Sequence, residues 1–454
     1  MSFQSINPAT GELLETFAAT SPAELERALE RASAGWRDWR RRPVRERVRP
    51  LEEAARLLRA RAGEYARIMA LEMGKPLAQG VAEATKCAWG CEYFASEAPA
   101  MLASQPRATE AGASYVRFDP LGPILAIMPW NFPFWQVFRF AAPALAAGNV
   151  CILKHAPSVP RCATALTELF GAAGFPEGVF QSVFVEPADA GRLIADSRIR
   201  GVTLTGSPRA GASVAEQAGR SVKKTVLELG GSDAFIVLPD ADLRAAASAA
   251  ADARLQNSGQ SCIAAKRFIV VDAVFEAFLE PFAAALKAAR VGDPLIEGTD
   301  VGPLARGDLR QTLHRQVVES ERRGAELRFG GRVPEGPGAF YPPTLLTAVR
   351  PGMAAFDEET FGPVAAVIRA RDSDDALRLA NASGYGLGAA IWSADRSAAE
   401  AMAGELEVGV AVVNGIVKSD PRLPFGGVKR SGYGRELSEI GLREFVNVKT
   451  VLVT

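Results

Sequence analysis

Histidine is nearly missing from this chain: its 454 residues include two, His155 and His314. That scarcity argues against a histidine-based metal site and against a Cys-His hydrolase, because both need imidazole as ligand or base. Bulk charge is missing too. Lys plus Arg and Asp plus Glu stand at 52 each, so nothing draws the chain to nucleic acid or to an anionic membrane surface. No apolar run approaches the roughly 20 residues that a membrane helix needs. The opening MSFQSINPATGELL lacks the basic-then-apolar order of a secretory signal. Cysteines number five, without framework spacing, which points to reduced thiols and a cytoplasmic location. No internal repeat or low-complexity tract stands out.

What is present reads as two or three globular domains, since 454 residues exceed one compact core. The first hundred residues have helical periodicity. SPAELERALERASAGWRDW opens on a Ser21-Pro22 cap signal with Leu25, Ala28 and Leu29 on one face. The arginine-rich stretch from Arg37 to Arg49 is interleaved with Glu and reads as a solvated helix face. From Ser114 strands and helices alternate: PILAIMPW, FRFAAPALAAG, NVCILKHAP, GVTLTGSPRAGASVAEQAG and TVLELGGSDAFIVL. This alternation implies an α/β fold, a mostly parallel sheet covered by helices. The tail FVNVKTVLV reads as a lone strand with no obvious partner nearby, suited to adding to another subunit's sheet.

Five stretches offer chemistry. In NSGQSCIAAKR a cysteine, Cys262, follows a turn-forming run with no apolar member, which suits a nucleophile as well as a helix-start cysteine. The small and polar residues before it leave room for a substrate to approach the sulfur. Asn131, in PWNFPFWQVFR, follows a buried strand, and its amide either satisfies turn carbonyls or is aimed at an oxyanion. Glu228, in VLELGGS, ends an apolar strand, where desolvation raises a carboxyl pKa towards that of a general base. Its alternative is a strand-end Glu facing water. In LTGSPRAG, Gly206-Ser207 ends a strand and opens a helix, a suitable place for phosphate, although no G-x-G-x-x-G fingerprint is present in context. Lys154 ends CILK and either bonds a ribose or caps the strand in solvent.

In the order Asn131, Lys154, Gly206-Ser207, Glu228, Cys262, EETFGP and PFGGVKRSGYGRE, these residues resemble the aldehyde dehydrogenase superfamily over essentially the whole chain. The spacing matches as well, with 23 residues from Asn131 to Lys154 and 34 from Glu228 to Cys262. The resemblance implies a Rossmann-type cofactor domain (1–105 with 120–228 and 420–444), an α/β catalytic domain (229–419) and a β oligomerisation arm (106–119 with 445–454). Cys262 would attack an aldehyde as a thiolate, Asn131 and the Cys262 N–H would hold the oxyanion, and Glu228 would activate the hydrolytic water. Lys154, Trp130, Gly206, Ser207, Glu359 and Phe361 match cofactor-binding positions. Where NAD-preferring members often carry an acid, this chain has Pro157 followed by Ser158, so NADP is favoured and NAD accepted. No metal is implied.

Within the superfamily the chain looks most like the shorter succinate semialdehyde dehydrogenases. There Arg139, buried among aromatics, matches an arginine that grips the substrate carboxylate, and Ser419 in KSDPR matches a second contact. Many longer members carry another arginine where this chain has Gln256. The implied reaction is NAD(P)-dependent oxidation of succinate semialdehyde to succinate in a homodimer or homotetramer. Alternatives are oxidation of another small aliphatic or carboxylated aldehyde, CoA-acylating dehydrogenation, which Glu228 counts against, and an inactive structural homologue.

Overall fold

The computed structural model describes residues 2–454. Helix Pro22–Trp39 starts on a full capping box, in which Ser21 and Glu24 satisfy each other's backbone N–H. In the arginine-rich stretch one residue departs from the expected solvated face. Arg47 is buried, and its guanidinium donates to the carbonyls of Ala146 and Arg42 at 3.0 and 2.8 Å.

The first sheet is built from β1 (Pro123–Ile127), β2 (Val150–Lys154), β3 (Phe180–Ser182), β4 (Gly201–Thr205) and β5 (Lys224–Glu228). All pair in parallel, and a short strand at Gly432–Tyr433 adds antiparallel to β5. β2 and β4 are buried at every residue, because helices cover both faces of a parallel sheet and leave no solvent side. These include α1 (Leu77–Met101), α2 (Trp135–Ala147) and α3 (Pro208–Arg220). The spatial order β5-β4-β1-β2-β3 places a reversal between β1 and β4. At such a switch point the two connections leave in opposite directions and open a crevice at the strands' carboxyl ends.

Only five residues separate Glu228 from Ala234, yet Ala234 begins a different sheet. Its strands are β6 (Ala234–Val237), β7 (Arg267–Val271), β8 (Glu326–Phe329), β9 (Thr344–Thr347), β10 (Val364–Ala370), β11 (Gly388–Trp392) and β12 (Val410–Val413). They lie in the order β8-β9-β10-β7-β6-β11-β12, parallel except for β8. Helix α4 (Leu243–Leu255) packs on this sheet and delivers the chain to Cys262.

The tail is not a lone strand. Val446–Val453 pairs antiparallel with Ala113–Pro120 through eight residue pairs, in a sheet completed by Gln105–Pro106. The pairing joins the two segments that the family resemblance groups as one arm; the residues alone do not give it, since register between such remote segments leaves no local pattern. The tail strand is the edge of this sheet, with Val448, Leu452 and Val453 exposed.

Candidate active site

The switch-point crevice gathers residues from four strand ends. Trp130 and Asn131 follow β1, Lys154 closes β2, Gly206 and Ser207 follow β4, and Glu228 closes β5. The Gly206 N–H donates to the Glu228 carbonyl at 2.9 Å, tying two of these ends together. Ser207 caps α3 by accepting the Ala210 N–H at 3.3 Å. A Cβ on Gly206 would meet nothing nearer than 3.6 Å, so the space beside this helix start is open. Lys154 is buried along its stem, and its ammonium has no protein acceptor among the described residues. Burial pushes its pKa down, opposed by the nearby charge of Glu186. Pro157 is exposed and Ser158 half-buried in the turn that follows β2.

The wall opposite comes from the second sheet. The Trp130 and Phe361 rings meet edge to face, 5.7 Å apart at 85°. Glu359 accepts the Gly231 N–H at 3.0 Å and lies 3.8 Å from the Lys266 ammonium. Glycine is needed beside it, because a Cβ at Gly230 would stand 2.3 Å from the Glu359 carboxylate. An ammonium free of protein acceptors, an open helix start and an aromatic pair fit the ribose, phosphate and planar ring of a dinucleotide cofactor.

The run before Cys262 does something other than leave room. Asn257, Ser258 and Gly259 stand at φ 54°, 56° and 75°, and left-handed backbone costs non-glycine residues roughly 1–2 kcal/mol each, somewhat less for Asn. Hydrogen bonds hold them there. Asn257 Nδ2 donates to the carbonyls of Asn131 and Gln260 at 2.7 and 3.0 Å, and Arg254 donates to the Gly259 carbonyl at 2.8 Å. Ser258 Oγ and Gln260 Oε1 accept the N–H groups of Gly302 and Ala305, both at 2.9 Å. Buried Lys266 donates to the carbonyls of Ser261, Cys262 and Ala264 at 2.9, 2.8 and 2.9 Å. The polar run is therefore a buried scaffold that fixes the cysteine. A Cβ on Gly259 would fall 2.3 Å from the Gly362 carbonyl group. Gly259→Ala is expected to cost about 3 kcal/mol or more and to slow alkylation of Cys262, readable by thermal melt and iodoacetamide kinetics.

Cys262 lies on the wall of a cavity of about 720 Å³ that also meets Phe132, Trp135, Arg139, Ser419 and Phe425. Burial pushes its thiol up to about 12, against the opposing charges of Arg139 and Lys266. Asn131 is anchored to the same loop: one N–H of its amide donates to the Gln260 carbonyl at 3.1 Å. Its second N–H and the backbone N–H of Cys262 take no protein acceptor among the described residues. Glu83, reaching from α1, accepts the Phe134 and Trp135 N–H groups at 2.9 Å each and so fixes the turn that carries Asn131. Glu228 is fully buried, with Oε1 lacking a partner. Burial raises its pKa well above the ordinary value, Arg139 lowers it, and Glu436 raises it further.

Arg139 also lines the cavity, but the structure gives its guanidinium internal carboxylates. It is ion-paired with Glu436, lies 3.8 Å from Glu228 and 3.3 Å from Thr205 Oγ1, and covers the Phe425 ring at 4.7 Å. These pairings follow from its place in the fold, since α2 is buried at every residue and a cation there needs a counter-charge. Gln256 spends its amide on long contacts of 3.4 Å to the Ala253 and Ile263 carbonyls.

Residues 1–451 match the aldehyde dehydrogenase family. The chain belongs to the aldehyde dehydrogenase family. It is 49% identical over 453 residues to a probable NADP(+) succinate-semialdehyde dehydrogenase of Synechocystis, covering 100% of both chains. It is 49% identical over 447 residues to an NAD(P)+ succinate semialdehyde dehydrogenase of Escherichia coli, covering 98% of this chain and 97% of that one. Among solved structures, a succinic semialdehyde dehydrogenase of Streptococcus pyogenes in complex with NADP+ superposes at a TM-score of 0.97 with 39% identity, covering 99% of each chain.

Against that family frame, four residues escape a reading of the sequence alone: Glu83, Lys86, Lys266 and Glu436. Glu436 lies within the motif PFGGVKRSGYGRE, yet nothing local marks it as the partner of Arg139. Lys86 sits in an apolar helical run, KCAWGCEYF, and Lys266 adjoins a strand. Their roles arise only from packing between remote segments.

Proposed function

We propose that this protein oxidises succinate semialdehyde to succinate with NADP as the favoured acceptor and NAD as an accepted one. The observation that carries the reading is Cys262 on the cavity wall, with two unused N–H donors, its own and that of Asn131, in the same loop system. Lys154, Ser207, Glu359 and the Trp130–Phe361 pair would hold the cofactor, which would supply the two-electron acceptor. The absence of an acid at Pro157 and the free ammonium of Lys154 favour a cofactor with a 2′-phosphate. The names of the Synechocystis and Streptococcus relatives point the same way.

The resting cysteine is a thiol, because burial disfavours its charged form. Once a base from solvent takes the thiol proton, the sulfur adds to the aldehyde carbon, the carbonyl π pair moves to oxygen, and that charge is met by the Asn131 and Cys262 N–H donors. Such a pair typically contributes about 3–4 kcal/mol per donor to the transition state. Loss of the aldehyde hydrogen with its bonding electron pair, to the two-electron acceptor that a bound cofactor would supply, leaves a thioester on Cys262. Glu228, kept basic by desolvation but reachable by ionisation beside Arg139, takes a proton from the water that hydrolyses it. The five free cysteines support a cytoplasmic location. The exposed edge of the tail strand supports a homodimer or homotetramer joined through the arm.

Mixing the protein with NADP+ and succinate semialdehyde should generate reduced nicotinamide absorbance. Glu228→Gln should keep a burst of one equivalent per active site and then turn over about 100-fold or more slowly. No signal with either cofactor across several aldehydes would exclude the dehydrogenase reading.

A further inference from the structure

The first turns of α1 reach both halves of the oxyanion site. Gln79 and Glu83 stand four residues apart, so they lie one above the other on a single helix face. Both line the Cys262 cavity. Gln79 serves the nucleophile loop: its Oε1 accepts the Asn257 N–H at 2.6 Å, and its Nε2 donates to the Asp300 carbonyl at 3.1 Å. Glu83 serves the other half. Its Oε1 accepts the N–H groups of Phe134 and Trp135 at the start of α2, whose N-cap residue, Phe134, has no side-chain acceptor to offer them.

The second oxygen of Glu83 is ion-paired with Lys75, whose ammonium is fully buried and lies 3.9 Å over the Phe132 ring. Carboxylate and ammonium together hold the turn at Phe132, Phe134 and Trp135, all within four residues of Asn131. Both oxygens of Glu83 are thereby committed inside the protein, and neither is left for a substrate. A buried ion pair adds little net stability, because desolvating two charges offsets most of their attraction. Charge-assisted hydrogen bonds are short and directional, however. What this pair supplies is the placement of the turn.

We propose that Glu83 is a positioning residue for the oxidation, acting through Asn131. It fixes the oxyanion turn from α1, while Gln79, one helical turn away, fixes the nucleophile loop. The two residues thus set the distance between the Asn131 amide and the Cys262 N–H. Those donors need such a strut, because one follows β1 of the first sheet and the other precedes β7 of the second. Donor geometry tolerates little error, and a misplacement of about 1 Å can cost about 100-fold in rate. This rests on the aldehyde-oxidising reading above and assigns what holds its two donors together. It concerns the carbon under attack, so it is indifferent to the far end of the substrate.

The test is a double-mutant cycle of Glu83→Ala and Asn131→Ala, read as kcat and KM for succinate semialdehyde and for butanal with NADP+. Glu83→Ala should lower kcat by about 10- to 100-fold on both aldehydes and leave the KM for NADP+ within about threefold. In the Asn131→Ala background, where the donor is already gone, the same change should cost less than about threefold more. An equally large loss in that background, a loss confined to the carboxylated aldehyde, or an unchanged kcat in folded Glu83→Ala would overturn the assignment. Should Glu83→Ala fail to fold, Glu83→Gln keeps an oxygen for the two N–H groups but gives up the ion pair. It must then lose at least about threefold in kcat, and that loss must likewise vanish in Asn131→Ala. The same cycle is run without cofactor on para-nitrophenyl acetate, whose acyl transfer to Cys262 passes through an oxyanion and releases para-nitrophenolate. If the wild type oxidises neither aldehyde, the functional reading fails, yet a non-additive ester cycle still upholds the positioning. An additive ester cycle, or a wild type that the ester does not acylate, would overturn it.

Discussion

Cys262→Ala should eliminate aldehyde oxidation, lowering kcat by about 10⁴-fold or more, while NADP+ binding stays within a few-fold of the wild type. The size follows from the chemistry. Without the sulfur there is no covalent adduct, so the one hard reaction is no longer divided into two easier ones. Binding should survive because the proposed cofactor contacts, Lys154, Ser207 and the Trp130–Phe361 pair, do not lean on the cysteine side chain. The fold should survive as well. The loop is held through backbone carbonyls by Lys266 and Arg254 and through side chains by Asn257 and Gln260, and Cys262 contributes none of those bonds from its sulfur. Fluorescence titration with NADP+ and a thermal melt, alongside the rate assay, separate the outcomes. Substantial residual oxidation would mean that another nucleophile, or none, carries the reaction.

Arg139→Met is expected to be the most damaging substitution for stability, at about 3–5 kcal/mol. The guanidinium is the cation between Glu436 and Glu228, all three of them buried. Removing it leaves two carboxyls in an apolar interior, each of which must be protonated or remain uncompensated. Since the charge of Arg139 lowers the Glu228 pKa, its loss drives that pKa higher still. Activity that needs ionised Glu228 should then rise only at higher pH, so the acid limb of the kcat profile moves to the alkaline side. Succinate semialdehyde and butanal should suffer together. A selective rise in KM for the carboxylated aldehyde, with an unaltered melt, would instead make Arg139 the anion grip that the family resemblance implies.

The contrast between Arg139 and Lys86 shows where reading a sequence stops. The α/β class was legible because buried parallel strands such as VCILK and GVTLT are continuous apolar runs cut by glycine turns. The family, too, was legible, because Asn131, Lys154, Gly206-Ser207 and Glu228 lie at or just beyond strand ends, where a motif and its structural context coincide. Lys86 was not. It meets Ser419 across 333 residues, and a lysine on one turn of a long helix carries no local sign of what it faces. Arg139 carries one sign in the sequence, a charge in apolar company, but its counter-charges come from β5 and from the segment after the second sheet. The small and polar run before Cys262 suggests room for a substrate, whereas φ values and hydrogen bonds make it a scaffold. Burial alone decides between those two, and burial of a polar residue is not written in its identity. The tail strand's partner near residue 116 is remote in sequence, so the family resemblance brings the two segments together and local pattern does not.

One measurement reaches the covalent route most directly: intact-mass analysis of Glu228→Gln mixed with succinate semialdehyde and NADP+, then quenched in acid. Attack by Cys262 with stalled hydrolysis predicts a gain of roughly 100 Da, a succinyl thioester, confined to the peptide that contains Cys262. Reduced cofactor formed with no mass gain, or a gain on any other residue, would contradict a thioester on Cys262 and a hydrolytic role for Glu228.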